Sequence, residues 1–356
     1  MGISNLLSKW FDKEGRELPW RDTGSPYEIW VSEIILQQTR INQGTAYYHA
    51  FLERFPDIFS LASADIKEVL NVWQGLGYYS RARNMHETAK KIVKEFNGNF
   101  PDSYDEIIKL KGIGEYTAGA IASIAFHERV PAIDGNVKRV IARVYGITND
   151  IGKPKTTKNI RSILMQEIPA ESPGNFNEAL MDLGSLICKP VNPSCNLCPL
   201  NELCDANKLG QVNEIPVKYK KTKTRIRHFF YAIIHCEENI LINLRTGKDI
   251  WEGLYEFPLF ESKKDLGDGE IYSELHKYFF KDSEMFSLRK ISNPVIHILS
   301  HQKILAKFIH IEIERIPTHL KNTFIIVKQS EINQYPLPRL IEKYLPEIEN
   351  KSQPGM

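Results

Sequence analysis

LKGIGEYTAGAIASIAF, residues 110–126, sets two glycines in a short break between apolar residues of helical period. Upstream, Ser103-Tyr104-Asp105-Glu106 has the spacing of a capping box and opens EIIKL. Downstream, TAGAIASIAF continues as a helix of small and branched apolar residues. The stretch therefore reads as helix, two-glycine turn, helix over about residues 104–127. Gly112 and Gly114 are expected at positive φ, where a side chain is costly. Such a turn aims its backbone N–H groups and the start of the next helix at solvent, which makes an anion site. Lys111 stands beside it and is expected to add a phosphate contact. WQGLGYY, residues 73–79, repeats the order apolar-x-Gly-apolar-Gly-x-Tyr. One such turn is a weak signal. Two in one helical region point to a grip on nucleic-acid backbone that does not read base sequence.

Outward from this stretch, the first part of the chain keeps a helical period. Ser25-Pro26-Tyr27-Glu28 is a second capping box with proline at the first helical position. VKRVIARVYG and FNEALMDLGSLIC are amphipathic helices. Beyond about residue 228 the pattern changes to strand-like runs, FFYAIIHC, NILINLR, KILAKFIHIEIE and TFIIVK, with YSELHKYFF and PRLIEKYL as helices. Between them, residues 216–228 carry six Lys or Arg and no acid, and read as an exposed basic linker. The expected organisation is an all-α domain over 1–215, the linker, and an α+β domain over 229–347. The chain has 356 residues and a net charge of +2, so nucleic-acid binding is argued from local charge, not from the total. The N-terminus has no apolar signal core, and no stretch has the length of a membrane span. A cytoplasmic protein without membrane partners is expected.

Four of the five cysteines, Cys188, Cys195, Cys198 and Cys204, lie in residues 188–204, separated by six, two and five residues. Paired disulfides need an oxidising compartment for which nothing here speaks. Zinc ordinarily takes two CxxC pairs, or one with histidines. Four thiolates from one continuous segment suit an iron–sulfur cluster better, and the spacing leaves those two metals open. Cys236, in an apolar run, reads as a small buried residue.

Two carboxylates have informative neighbours. Glu33 sits among Trp30, Val31, Ile34, Ile35 and Leu36. Buried there, its pKa would rise and it would serve as an acid near neutral pH; at a helix edge it would face water. Asp134, in AIDGNVKRV, directly precedes a helix, where aspartate is ordinarily an N-cap.

These pieces together resemble the helix–hairpin–helix superfamily of base-excision DNA glycosylases, and within it the MutY-type adenine DNA glycosylases. The matching segments are LPWR (18–21), WVSEIILQQT (30–39), QGLGYYSRAR (74–83), LKGIGEYTAGAIASIAF, AIDGNVKRV (132–140), the cysteine run and WEGLYEFP (251–258). The resemblance implies a multidomain protein: a helical glycosylase domain with a [4Fe–4S] loop at 188–204, then a Nudix-like recognition domain. It implies a monofunctional enzyme that flips and excises adenine opposite 8-oxoguanine or guanine in double-stranded DNA. It assigns Cys188, Cys195, Cys198 and Cys204 to a structural cluster, Glu33 to protonating the departing adenine, and Asp134 to stabilising the cationic sugar, with Asn136 in support. Gln38 and Tyr78 match residues that enter the helix beside the orphaned base.

Tyr116 stands where strand-cleaving relatives carry a lysine, and a phenol cannot form a Schiff base. Lys111 departs from the proline of many relatives. After Gly253 the acidic helix of an active Nudix enzyme is missing, so the second domain is expected to recognise, not hydrolyse. Leu299-Ser300-His301 stands where relatives have Phe-Ser-His against 8-oxoguanine. Ser300 and His301 are thus expected DNA contacts, and a monomer is expected. The rival readings are a thymine or uracil mismatch glycosylase, and a non-catalytic iron–sulfur DNA-binding protein.

Overall fold

The computed structural model describes residues 2–21, 23–219, 224–281 and 283–349. By packing, the chain divides into two units. One is Met1–Ala64 with Arg83–Lys220, and the other is Asp65–Ala82 with Lys221–Met356. Among the described residues no helix is long and apolar enough to cross a membrane.

The first unit is helical. Helix Pro26–Leu36 begins where Ser25 Oγ accepts the Glu28 N–H at 3.3 Å, with Pro26 in the first turn, where its missing N–H costs nothing. Eight of its residues are buried, Glu33 among them, so this helix runs through the core instead of lying along its surface. It packs against Glu115–Ala125, which small residues make narrow: a Cβ on Gly119 would lie 2.6 Å from the Pro131 carbonyl oxygen. Helix Gly135–Val144 packs on Pro173–Leu186, and the latter on Ile3–Glu14; together they enclose a second core of Leu7, Val140, Ile141, Leu180 and Leu183.

Two local expectations need correction. Ser103 makes no side-chain cap, and the helix it precedes is only Tyr104–Ile107. The Tyr104 N–H is satisfied instead by Glu128 Oε2 at 2.6 Å, a long-range partner that a local motif cannot show. Gly112 has φ +80, and a Cβ there would also meet Asn84 at 2.6 Å, so glycine is needed twice over. Gly114 has φ −99 and is the N-cap of Glu115–Ala125; its position is open instead of left-handed.

The second unit is built on a mixed sheet. Its strands are β1 (Arg225–Cys236), β2 (Asn239–Leu244), β3 (Tyr255–Glu256), β4 (Leu259–Ser262), β5 (Ser287–Ile291), β6 (Val295–Ile298), β7 (Gln302–Glu312) and β8 (Ile325–Lys328). The order is β3-β2-β1-β7-β5, with β4 on β1, β6 on β7 and β8 on β2. β1 and β7 are parallel, and the other pairs are antiparallel. These two long central strands alternate their side chains between two cores. Phe229, Tyr231 and Phe308 face one with Leu340 and Tyr344; Phe230, Ala232 and Ile309 face the other with Ile271 and Leu275 of helix Asp268–Tyr278.

The basic stretch 216–228, expected as an exposed linker, ends differently. Arg225 to His228 already belong to β1, and Arg227 is buried with Asp249 Oδ2 at 2.7 Å and Glu261 as partners. A charged residue in a strand reads as solvent-facing until its carboxylates, here 22 and 34 residues away, are in place. Lys220, Lys221, Thr222 and Lys223 lie outside the described residues.

Candidate active site

The core helix Pro26–Leu36 carries Glu33 to a position only 7% exposed. Loss of solvation is the main effect there and pushes its carboxyl up to about 7; a hydrogen bond with Tyr116 opposes the rise, while Glu178 and Asp134 add to it. Tyr116 lies in the first turn of Glu115–Ala125, directly after the two-glycine turn. Its hydroxyl also lies 3.2 Å from Met181 Sδ, and its own pKa is held well above 10 by burial and by the neighbouring carboxylates. It therefore stays a neutral hydrogen-bond donor.

Asp134 is the N-cap of Gly135–Val144. Its Oδ1 accepts the Val137 N–H at 2.7 Å, and its Oδ2 accepts the Asn136 amide at 2.8 Å. The cap reading is therefore correct, and it leaves a carboxylate fixed beside Glu33's charge field. Burial pushes the Asp134 carboxyl up, against the hydrogen bonds from Val137 and Asn136. Both oxygens keep lone pairs for a further partner.

Four side chains in this region escaped sequence reading. Arg21 of LPWR donates Nε to Glu178 Oε1 at 2.8 Å and two bonds of 3.0 Å to the fully buried Asp182. Glu178 and Asp182 are four apart on Pro173–Leu186, and that one-face spacing of two acids was the available signal. Arg139 is the fourth. Its Nη2 donates to Asn136 Oδ1 at 2.8 Å and to the Gly184 carbonyl at 2.7 Å, and its Nε donates to the Cys188 carbonyl at 2.8 Å.

Cys188, Cys195, Cys198 and Cys204 line one cavity together with Val140, Arg143 and Leu200. Loss of solvation pushes the Cys198 thiol up to about 12, and the other three cysteines add to it. Four such sulfurs become thiolates together only with compensating positive charge, so the donor set suits a soft cationic centre. Arg143 Nη1 lies 3.3 Å from Cys188 Sγ and donates to the Lys189 carbonyl at 2.8 Å. Among the described residues no group of three or more His, Cys, Asp or Glu has the arrangement of a single-ion site. Cys236 is buried in the sheet of the second unit, apart from the run.

The expected DNA contacts are exposed. Gln38 has φ +61 and Tyr78 φ +49, left-handed backbone that non-glycine residues seldom adopt. Gly114 leaves open space before Glu115–Ala125. Lys111 is ion-paired with Glu87, so a phosphate there would compete with a carboxylate. In the second unit Ser300 and His301 form the exposed tip of the β6–β7 hairpin, and Ser300 Oγ lies 2.9 Å from the Tyr78 hydroxyl. Leu299 turns inward onto the core of Phe229 and Phe308.

Two domain families match in order. Residues 31–169 match the HhH-GPD superfamily base excision DNA repair proteins, and residues 229–347 match the NUDIX domain. The fold and these matches define a base-excision DNA glycosylase, a hydrolase of N-glycosyl bonds that acts on DNA. An adenine DNA glycosylase of Buchnera aphidicola (from Schizaphis graminum) is 39% identical over 262 residues, 73% of this chain and 76% of that protein. An adenine DNA glycosylase of Arabidopsis thaliana is 34% identical over 347 residues, 86% of this chain and 54% of the relative. A thermostable thymine-DNA glycosylase superposes with a TM-score of 0.54 at 25% identity, over 58% of this chain and 95% of its own. A non-covalent endonuclease III–DNA complex gives 0.51 at 25% identity, over 58% and 94%. The chain belongs to the adenine DNA glycosylase family of base excision repair.

Proposed function

We propose that this enzyme removes adenine mispaired with 8-oxoguanine or guanine, as a monofunctional glycosylase acting as a monomer in the cytoplasm. The observation that carries the chemistry is the burial of Glu33 on the core helix Pro26–Leu36. A buried carboxyl titrating at about 7 delivers a proton to the departing purine, while Asp134, fixed by the Val137 N–H and the Asn136 amide, faces the developing sugar cation. Tyr116 has no amine with which to form an imine, which supports hydrolysis without strand cleavage. The two-glycine turn, with open space at Gly114 and Lys111 exposed beside it, supports a backbone grip. Gln38 and Tyr78, exposed on left-handed backbone, suit insertion beside the extruded base. Ser300 and His301 suit the base opposite. Cys188, Cys195, Cys198 and Cys204 would hold a [4Fe–4S] cluster, which when bound supplies a cross-link that orders the 188–204 loop.

The test is a single-turnover assay on duplexes with A opposite 8-oxoguanine, A opposite G, and T opposite G. Adenine release in the first two and none from T opposite G is expected. Release of thymine at a comparable rate would overturn the substrate reading, and efficient borohydride trapping would overturn monofunctional chemistry.

A further inference from the structure

Helix Asp268–Tyr278 covers only part of one sheet face in the second unit. It packs over Phe230, Ala232 and Ile309, and this cover ends at Lys307, whose Nζ donates to the Leu266 carbonyl at 2.9 Å and pairs with Asp265 at 2.7 Å. From there the same face continues along β1, β7 and β6. The register sets Ile226 of β1 beside Lys303 of β7, Lys303 beside Ile298 of β6, and Leu305 beside Ile296. Residues paired in register point to one face. Ile226, Ile296 and Ile298 are 58%, 56% and 74% exposed. A single exposed isoleucine is ordinary, but three on one sheet face, with Leu305 half-buried between them, form a patch. β6 is also an edge: among the described residues it pairs with β7 alone. The Leu299 N–H donates to the Gln302 carbonyl at 2.8 Å, so ladder alternation turns the His297 backbone groups inward to Ile304 and those of Ile296 and Ile298 outward. Edges are ordinarily blunted by a lysine, a proline or a bulge within the strand, and Val-Ile-His-Ile has none of them.

Geometry and charge specify what such an edge takes up. Outward N–H and C=O groups on every second residue are matched by another extended backbone, and Ile296 and Ile298 then face every second side chain of that strand. Lys303 stands in the same row, and Lys343 lies close to His297 on the opposite face, where its charge adds to burial in lowering the histidine's pKa. β6 holds no acid to balance these lysines. A second copy of this chain would bring the same lysines and no acid. Lys220–Lys223 and residues 350–356, which lie outside the described residues, carry no alternating aliphatic side chains. DNA offers neither aliphatic side chains nor a row of amide partners. We propose that the outer edge of β6 docks an extended acidic segment of a partner protein, added to the sheet as a further strand with aliphatic residues over Ile296 and Ile298. Recognition is then divided: backbone bonds hold the segment, the aliphatic alternation fixes its register, and the lysines select acidic over basic segments.

The experiment measures the affinity of the full-length protein for a labelled synthetic peptide of alternating Glu and Val, by fluorescence anisotropy. The peptide is also made with a methyl group on the amide nitrogens of one alternate set, and separately on those of the other. Binding of the parent peptide is expected, with loss in one methylated form and retention in the other, because only one set of N–H groups faces β6. A peptide of alternating Lys and Val should bind about 10-fold more weakly or worse. Ile296→Glu should weaken the Glu-Val peptide by about 10-fold or more, the scale of one lost apolar contact, while Ile296→Val keeps it. Ile296 is exposed, so both variants should melt as the natural protein does and release adenine at the natural rate. No binding of the Glu-Val peptide would overturn the proposal. Equal binding of both methylated forms, or equal binding of the Lys-Val peptide, would do the same, since neither backbone bonding nor charge would then select. Concentration-dependent dimers that Ile296→Glu abolishes would give the edge to a second copy and overturn it. A fall in duplex DNA affinity in Ile296→Glu would give the edge to DNA, with the same consequence.

Discussion

The proton on Glu33 gives the sharpest residue-scale consequences. Its folded pKa is about 7 against an ordinary value of 4.5, so the folded state holds the proton more tightly. The stability this provides is complete below the ordinary value and is lost as pH rises through about 7. Glu33→Gln is neutral throughout, so relative to it the natural protein should lose about 2–3 kcal/mol between about pH 5 and about pH 8, read from urea midpoints. The variant should release no adenine. Activity of the natural enzyme should fall on the alkaline side of about pH 7, where the acid is deprotonated. Tyr116→Phe removes a hydrogen bond that favours the charged carboxyl, so this alkaline limb should move to higher pH. A limb that stays in place would mean that the phenol does not touch the catalytic proton. Asp134→Asn separates cap from chemistry: asparagine caps about as well, so melting should hardly change while the rate falls by about 10²-fold or more. An active but unstable variant would leave Asp134 only its cap.

At the scale of elements, helix Gly135–Val144 joins two places that the sequence presents as separate motifs. Asn136, Arg139 and Arg143, at spacings of three and four, share one face; the first holds Asp134, and the arginines hold the Cys188 region. Arg139→Lys loses the planar fork that bonds Asn136, Gly184 and Cys188 at once. With the proposed cluster held by the four cysteines, this variant should lower both the iron retained per chain and the excision rate, without moving the alkaline limb expected from Glu33. Full iron content at a normal rate would show that the fork is dispensable. Helix character, the Gly112 turn, the cysteine run and the Asp134 cap were legible because each is local, whereas the burial of Glu33 depends on what packs over its helix. Arg139 and Arg227 were not legible, because an arginine becomes structural only when distant carbonyls or carboxylates meet it. Gly114 was misjudged for a related reason: a glycine needed for open space and one needed for positive φ look alike until φ is known. Leu299 reads as part of a contact motif, yet hairpin alternation turns it inward and leaves Ser300 outside.

At the scale of the whole molecule, the segment Asp65–Ala82 departs from the contiguous domain order expected from sequence, because it packs with the sheet-bearing unit. Lys67 Nζ lies 3.7 Å from the centre of the Tyr335 ring, Asn71 Nδ2 donates to the Gln334 carbonyl at 3.2 Å, and Tyr78 meets Ser300. Single surface cation–π and polar contacts are worth about 0.5–1 kcal/mol each, so together they restrain a short helix and its turn without fixing the fold. A chain ended after residue 219 would keep Glu33, Tyr116, Asp134, Asn136 and the four cysteines of the run, and would lose every partner just named. It should still release adenine, since the acid and the aspartate need none of those partners. Amide exchange across residues 66–82 should speed up relative to the full chain, while helices Pro26–Leu36 and Glu115–Ala125 exchange as before. Affinity for duplex DNA should fall with it, because the turn that presents Tyr78 then has to be ordered on binding. Unchanged exchange in 66–82 would mean that the turn is held by its own glycines, Trp73 and Arg81 alone, and that the second unit contributes nothing to presenting Tyr78.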